Sequence, residues 1–135
     1  MKVEGQCHCG AIAYEAEVEP GTIAICNCAD CQMQSGSVFR TNISAPADEF
    51  RLLRGTPKQY LKTAGSGAKR IHAFCENCGG PIYSSAHENP QSYSLRVGAL
   101  KQRYELGRPA RQIWTKRRFP WMPSLDGVEE FDGQP

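Results

Sequence analysis

The sequence predicts a mainly β domain with short connections, on three observations. Apolar and polar residues alternate with period two over residues 10–18 and 92–98, and residues 71–75 form a short apolar-rich run. The 13 glycines and 9 prolines are spread so that few segments hold a helix longer than two turns.

Taken in order, GAIAYEAEV at 10–18 reads as a half-buried strand, bounded by Pro20-Gly21. Pro46 to Leu53 is the exception to the strand pattern: Ala47-Asp48-Glu49-Phe50 predicts a short helix with acidic residues near its N-terminus. Breaks follow at Gly55-Thr56-Pro57 and Gly65-Ser66-Gly67, then the strand IHAFC at 71–75, the break Gly79-Gly80-Pro81, and the strand SYSLRVG at 92–98. The last twelve residues, acidic and ending Gly133-Gln134-Pro135, are expected to fray.

At 135 residues, one domain spanning 1–135 is expected, with no internal repeat and no linker-like low-complexity stretch. A net charge of +2 and 22% charged residues exclude an acidic disordered tail and a strongly basic nucleic-acid binder. Apolar runs such as Ile23-Ala24-Ile25-Cys26 are far shorter than the ~20 residues that span a bilayer. The N-terminal residues lack a signal-like apolar stretch, so a reducing, cytoplasmic setting is expected, with no membrane partner.

The unusual number is seven cysteines, an odd count that cannot pair fully as disulfides within the chain. They fall into three groups, Cys7-x-Cys9, Cys26-x-Cys28-x-x-Cys31 and Cys75-x-x-Cys78. Pairs one or two residues apart place two sulfurs on one ion where the backbone turns sharply, and Gly10 and Gly79 suit such turns. Two zinc ions would use seven thiolates as four plus three, with the triplet supplying its ligands from one loop. Four thiolates close a structural ion; three leave a position for water or substrate. Spacing alone also allows Cys28/Cys31 and Cys75/Cys78 to form a zinc ribbon, although their separation exceeds the usual one. A dithiol redox pair at Cys28/Cys31 is a further alternative.

Cys7-His8-Cys9-Gly10, Cys26 to Cys31 followed by Gln34-Ser35-Gly36-Ser37, Phe74-Cys75-x-x-Cys78-Gly79, Gly98-Ala99-Leu100, Ile113-Trp114-Thr115 and Arg118-x-Pro120-Trp121 run in one order along the chain. In that order and spacing, over about residues 3–131, the sequence resembles the glutathione-dependent formaldehyde-activating enzyme family, which includes centromere protein V. The resemblance implies a β-tent fold of several small curled antiparallel sheets. It also implies a structural zinc on Cys7, Cys9, Cys75 and Cys78 and a catalytic zinc on Cys26, Cys28 and Cys31. Where the family often has His within the triplet and before Ile-Trp, this chain has Asn27 and Gln112, and Gln32-Met33 stand where basic residues are common.

The expected function is a zinc-dependent carbon-sulfur lyase that adds a small thiol, such as glutathione, to formaldehyde or another carbonyl compound. The alternatives are a non-catalytic zinc-stapled module binding nucleic acid or an acidic partner, and a redox or zinc-buffering protein. Arg118, and after it Arg40, are the candidates for a substrate carboxylate, because guanidinium groups bind carboxylates bidentately. Ser35 is the candidate donor to an emerging alkoxide, and Ser37 shares its position and its alternative role in a turn. His8 is read as non-ligating, His72 and His87 as satisfied surface or core residues rather than catalysts, and Trp114 and Trp121 as core packing. Arg96 to Arg118 holds eight basic residues against Glu105 and reads as a solvated face.

Overall fold

The computed structural model describes residues 1–64 and 66–135; Gly65 of the expected Gly65-Ser66-Gly67 break lies outside them. The mainly β class is observed, in two sheets. The smaller has the order β1 (Lys2–Gln6), β2 (Ala13–Glu17), β5 (Phe50–Arg54). The larger is built from β3 (Ile23–Cys26), β4 (Arg40–Pro46), β6 (Lys58–Thr63), β7 (Lys69–Phe74), β8 (Pro81–Ala86), β9 (Ser92–Arg96), β10 (Pro109–Ile113) and β11 (Glu129–Glu130), in the order β11-β10-β3-β4-β9-β8-β7-β6. Pairing is antiparallel except where β10 runs parallel to β3 and β11. The one α-helix among the described residues is α1 (Ala29–Ser35).

The strand expected at 10–18 starts later, at Ala13, because Cys7 to Gly10 forms a turn closed by Gly10 N–H donating to Cys7 O, with Gly10 at φ 79°. The run at 71–75 is β7, which begins at Lys69 and stops before Cys75, and the 92–98 strand ends at Arg96 in a 3-10 turn over Val97–Ala99. The helix expected over 46–53 is reduced to one 3-10 turn, Ala47–Glu49, and the rest is strand β5. Tertiary packing overrides local propensity there. Phe50 is drawn into an aromatic cluster, with ring centroids 5.5 Å from Tyr14, 5.4 Å from Tyr83 and 4.5 Å from Tyr93.

The C-terminal residues expected to fray are paired with the body of the domain in this structure. β11 pairs with β10, Phe131 N–H donates to Gln112 O at 2.9 Å, Thr115 N–H to Phe131 O at 3.0 Å, and Arg118 forms an ion pair with Glu130 at 2.6 Å. Trp121 is 67% exposed, set edge-on against Phe119, and Trp114 is half-buried at φ 57° with its indole N–H on Gln134; neither fills the core. In β1, Gly5 lies opposite Tyr14, and a Cβ there would fall 2.1 Å from the Tyr14 ring, so only glycine admits that close cover.

The register of the large sheet sorts its two faces. Ile43, Leu95, Tyr83 and Ala73 stand opposite one another across β4, β9, β8 and β7, and all are buried. One residue along, the neighbouring row reads Ser44, Ser94, Ser84, His72 and Tyr60, with Asn42 opposite Arg96 and Cys26 opposite Arg40. Successive side chains on a strand point to opposite faces. One face therefore supplies the apolar core, and the other is polar and cationic, reaching to Cys26.

Candidate metal centre

The seven cysteines are all free and form two clusters, Cys7/Cys9/Cys75/Cys78 and Cys26/Cys28/Cys31, with the sulfurs of each within 4.8 Å of one another. The alternative pairing of Cys28/Cys31 with Cys75/Cys78 is excluded by this placement.

The four-cysteine cluster comes from two tight turns, one after β1 and one after β7. In the second, Gly79 N–H donates to Cys75 O at 2.7 Å and Gly79 takes φ 74°, mirroring Gly10 in the first. Cys9 Sγ lies 3.7 Å from both Cys7 Sγ and Cys75 Sγ. A tetrahedron with bonds of ~2.3 Å has edges of about 3.8 Å, so the donor set fits zinc, whereas a disulfide would bring sulfurs to ~2.05 Å. Ile12 N–H and Asn77 Nδ2 each approach a sulfur, of Cys7 and Cys9 respectively, at 3.3 Å. The Asn77 amide, and after it the Ala11 backbone, pull the Cys9 thiol down to about 6, as a metal-binding thiolate requires. The cluster also ties the β1–β2 pair of the small sheet to β7–β8 of the large one.

The triplet does not sit in one loop. Cys26 closes β3, Cys28 is the N-cap of α1 with its sulfur accepting from Cys31 N–H at 3.4 Å, and Cys31 follows in the first helical turn. The signal for that helix was present in Asp30, an acid in the first turn, and Gly36, the left-handed C-cap. Hydrogen bonds from the Cys26 and then the Cys31 thiol hold Cys28 far below the usual thiol range, and the same bond to Cys28 pushes Cys26 up. Three thiols packed this way resist losing all three protons unless a cation neutralises them, which is the chemistry of a metal-ligand set.

Asn27, between two of these cysteines, is 1% exposed and faces β10: its Nδ2 donates to Gln112 Oε1 at 3.3 Å and to Ile113 O at 3.1 Å. Two of the positions at which the chain departs from the family pattern, those where His is common, thus hold each other.

Arg40 is 8% exposed, donates to Gln34 Oε1 at 3.2 Å, and lines a cleft of about 250 Å³ together with Arg96, His72, Tyr60 and Phe74. Sequence reasoning missed two of these. Arg96, read as part of a solvated face, is 7% exposed, and His72 is half-buried with its Nδ1 unpartnered. Burial, and then Arg96 and Arg40, push His72 down to about 4, so it is neutral at pH 7. The period-two pattern of β7, which puts His72 on the face of Arg70, was the signal available.

The remaining candidates lie apart from the cleft lining. Ser35 is exposed, donates to Phe39 O at 3.4 Å and accepts from Ser37 N–H, a turn-stabilising pattern. Arg118 is engaged by Glu130. His8 and His87 are exposed and belong to neither cluster.

Two sheets tied by a four-cysteine cluster, with three more cysteines at a strand-helix junction, give two thiol sets that could each hold a metal ion such as zinc. The family model described as glutathione-dependent formaldehyde-activating enzyme matches residues 2–117, and the chain belongs to that family. It is also similar to a Rhodobacter sphaeroides protein of known crystal structure, with 27% identity and a TM-score of 0.61, over 78% of this chain and 96% of that one. Among the described residues no helix is long and apolar enough to cross a membrane.

Proposed function

We propose that the protein is a carbon-sulfur lyase of the S-(hydroxymethyl)glutathione synthase type, promoting reversible addition of a small thiol, glutathione or a close analogue, to formaldehyde or a related carbonyl compound. The observation that supports this most is an open three-cysteine set adjoining a cationic cleft, in a chain of this family. In this reading two zinc ions are held per chain, a structural one on Cys7, Cys9, Cys75 and Cys78 and a catalytic one on Cys26, Cys28 and Cys31, in a reducing compartment such as the cytoplasm. A zinc ion on the triplet would keep its fourth position open and supply Lewis acidity toward a thiol or a carbonyl oxygen.

In the reaction the thiol sulfur forms the bond to carbon, the carbonyl π pair moves to oxygen, and that oxygen takes up the proton the thiol gave up. A free thiol of pKa ~8.5 is only slightly ionised at pH 7, so favouring the thiolate gains one to two orders of magnitude at most. The larger gain comes from holding thiol and carbonyl together. Arg40, buried and opposite Cys26 across the β3–β4 pair, would hold a substrate carboxylate beside the triplet. Ser35 and Arg118 contribute only after leaving Phe39 O and Glu130. The test is exchange between free and thiol-bound formaldehyde, wild type against Cys28→Ser at equal protein. Faster exchange in the wild type is expected; equal rates across several thiols and aldehydes, with zinc verified at the triplet, would overturn the lyase in favour of a binding module.

A further inference from the structure

We infer that the cleft beside α1 is an anion subsite that takes a carboxylate with no ammonium neighbour, such as the glycyl end of glutathione, on Arg96 and Arg40, with His72 beside them. This rests on the reading above and adds to it the part of the thiol that is recognised and the residues that recognise it.

Arg96 and Arg40 are both more than nine-tenths buried, and neither forms an ion pair among the described residues. Arg96 reaches only neutral oxygens, Asn42 Oδ1 at 2.5 Å and Ser94 O at 3.2 Å, and its Nε has no partner. Arg40 has Gln34 Oε1 alone. A buried charge without an ion pair is costly, and two side by side are costlier; the Cys31 thiolate, which acts on both arginines, offsets part of that cost, and a bound anion in the cleft would offset more. The acid on α1, Asp30, is already neutralised by Lys62. His72 leaves Nδ1 free on the same polar face.

Place and size fit a substrate end. Arg40 stands opposite Cys26, and Gln34 follows Cys31 by three residues on α1, so triplet and cleft share a wall. At about 250 Å³ the cleft is smaller than the ~300–1,000 Å³ that encloses a drug-sized ligand, so it takes one end of a tripeptide. Tyr60, Phe74 and Pro81 give it apolar walls for a methylene stem, and planar guanidinium groups match a planar carboxylate. Arg40 and Arg96 are the charged groups of the lining and no acid balances them there, so it repels an α-ammonium group, which selects the glycyl over the γ-glutamyl end.

The test uses zinc-replete protein and S-methylglutathione, whose sulfur is capped, titrated calorimetrically beside its glycyl ethyl ester. We expect the ester to bind at least about tenfold more weakly to the wild type, as does S-methylglutathione to Arg96→Met, while Arg96→Met no longer separates ester from acid. Without ligand, Arg96→Met should melt at or above the wild-type temperature, which a purely structural arginine would not allow. His72→Gln, with a smaller loss of the same sign, is the second variant should Arg96→Met lose its fold or zinc. Equal affinity for acid and ester, additive losses, or no binding to the wild type would each overturn the subsite. Binding that behaves as expected without any formaldehyde exchange would keep the subsite and refute only the lyase.

Discussion

Asn27 Nδ2 donates to Gln112 Oε1 across 3.3 Å, joining the triplet segment to β10 through two side chains that are 1% and 3% exposed. The same Nδ2 reaches Ile113 O, and Asn27 N–H donates to Ile113 O at 3.1 Å, so the residue between Cys26 and Cys28 is fixed by side chain and backbone alike. Neither side chain titrates in the accessible pH range. The pair therefore acts as a strut that sets the angle between Cys26 and Cys28. Asn27→Ala leaves Gln112 buried without its donor and should cost about 1–3 kcal/mol, Gln112→Ala a similar amount, and the double variant less than the sum by about 1 kcal/mol. Denaturant midpoints of the zinc-loaded proteins measure this cycle; strict additivity would remove the strut.

The two cysteine clusters should differ in what their loss does. The four-cysteine cluster closes on turns from both sheets, so metal binding there is folding free energy, and ~10–16 kcal/mol of zinc affinity exceeds much of the ~5–15 kcal/mol net stability of a small domain. The triplet comes from one contiguous segment of β3 and α1, which the Asn27 strut also holds. Wild-type protein should carry two zinc ions. Cys28→Ser should retain one with a native circular dichroism spectrum, and Cys75→Ser should lose the fold. Loss of the same ion from both variants, read by metal analysis, would show the partition to be wrong.

Cysteine spacing made the three cysteine groups legible, because metal ligation demands local turns that the sequence writes as Cys-x-Cys, Cys-x-x-Cys and a following glycine; their division into a set of four and a set of three was legible only through the resemblance that the order of the motifs carries. Period-two alternation found the strands for the same local reason. Phe50 shows where this ends: its short helix gave way to β5 because Tyr14, Tyr83 and Tyr93, distant in sequence, surround it. The cleft escaped because it depends on register. Arg40, Arg96 and His72 come from three strands of the large sheet, and only the pairing of β4 with β9 and of β7 with β8 turns them to one face. The C-terminal acids, read as a fraying tail, include Glu130, which pairs with Arg118.

His72 gives the fold a pH dependence whose sign is fixed. Burial, followed by Arg96, Arg40, Lys62 and Arg70, lowers its folded-state pKa to about 4, against ~6.5 in the unfolded chain. Between those values the unfolded state binds the extra proton, so stability rises with pH. The contribution is complete above pH ~6.5 and is lost progressively as pH falls toward 4, where both states are protonated. The ring is half-buried and partly screened by water, so the loss between pH 6.5 and 5 should be about 1 kcal/mol or less. Acid also protonates the thiolates and weakens zinc binding, which steepens the curve of any variant. The quantity to measure is therefore a difference, the urea midpoint of wild type minus that of His72→Gln, zinc-saturated, from pH 7.5 to 5. It should be constant above pH 6.5 and fall below it, because only the wild type must bury an imidazole that water would charge. A difference independent of pH would mean that His72 takes up its proton as readily in the folded chain as in the unfolded one, and that the arginines beside it do not oppose its charge.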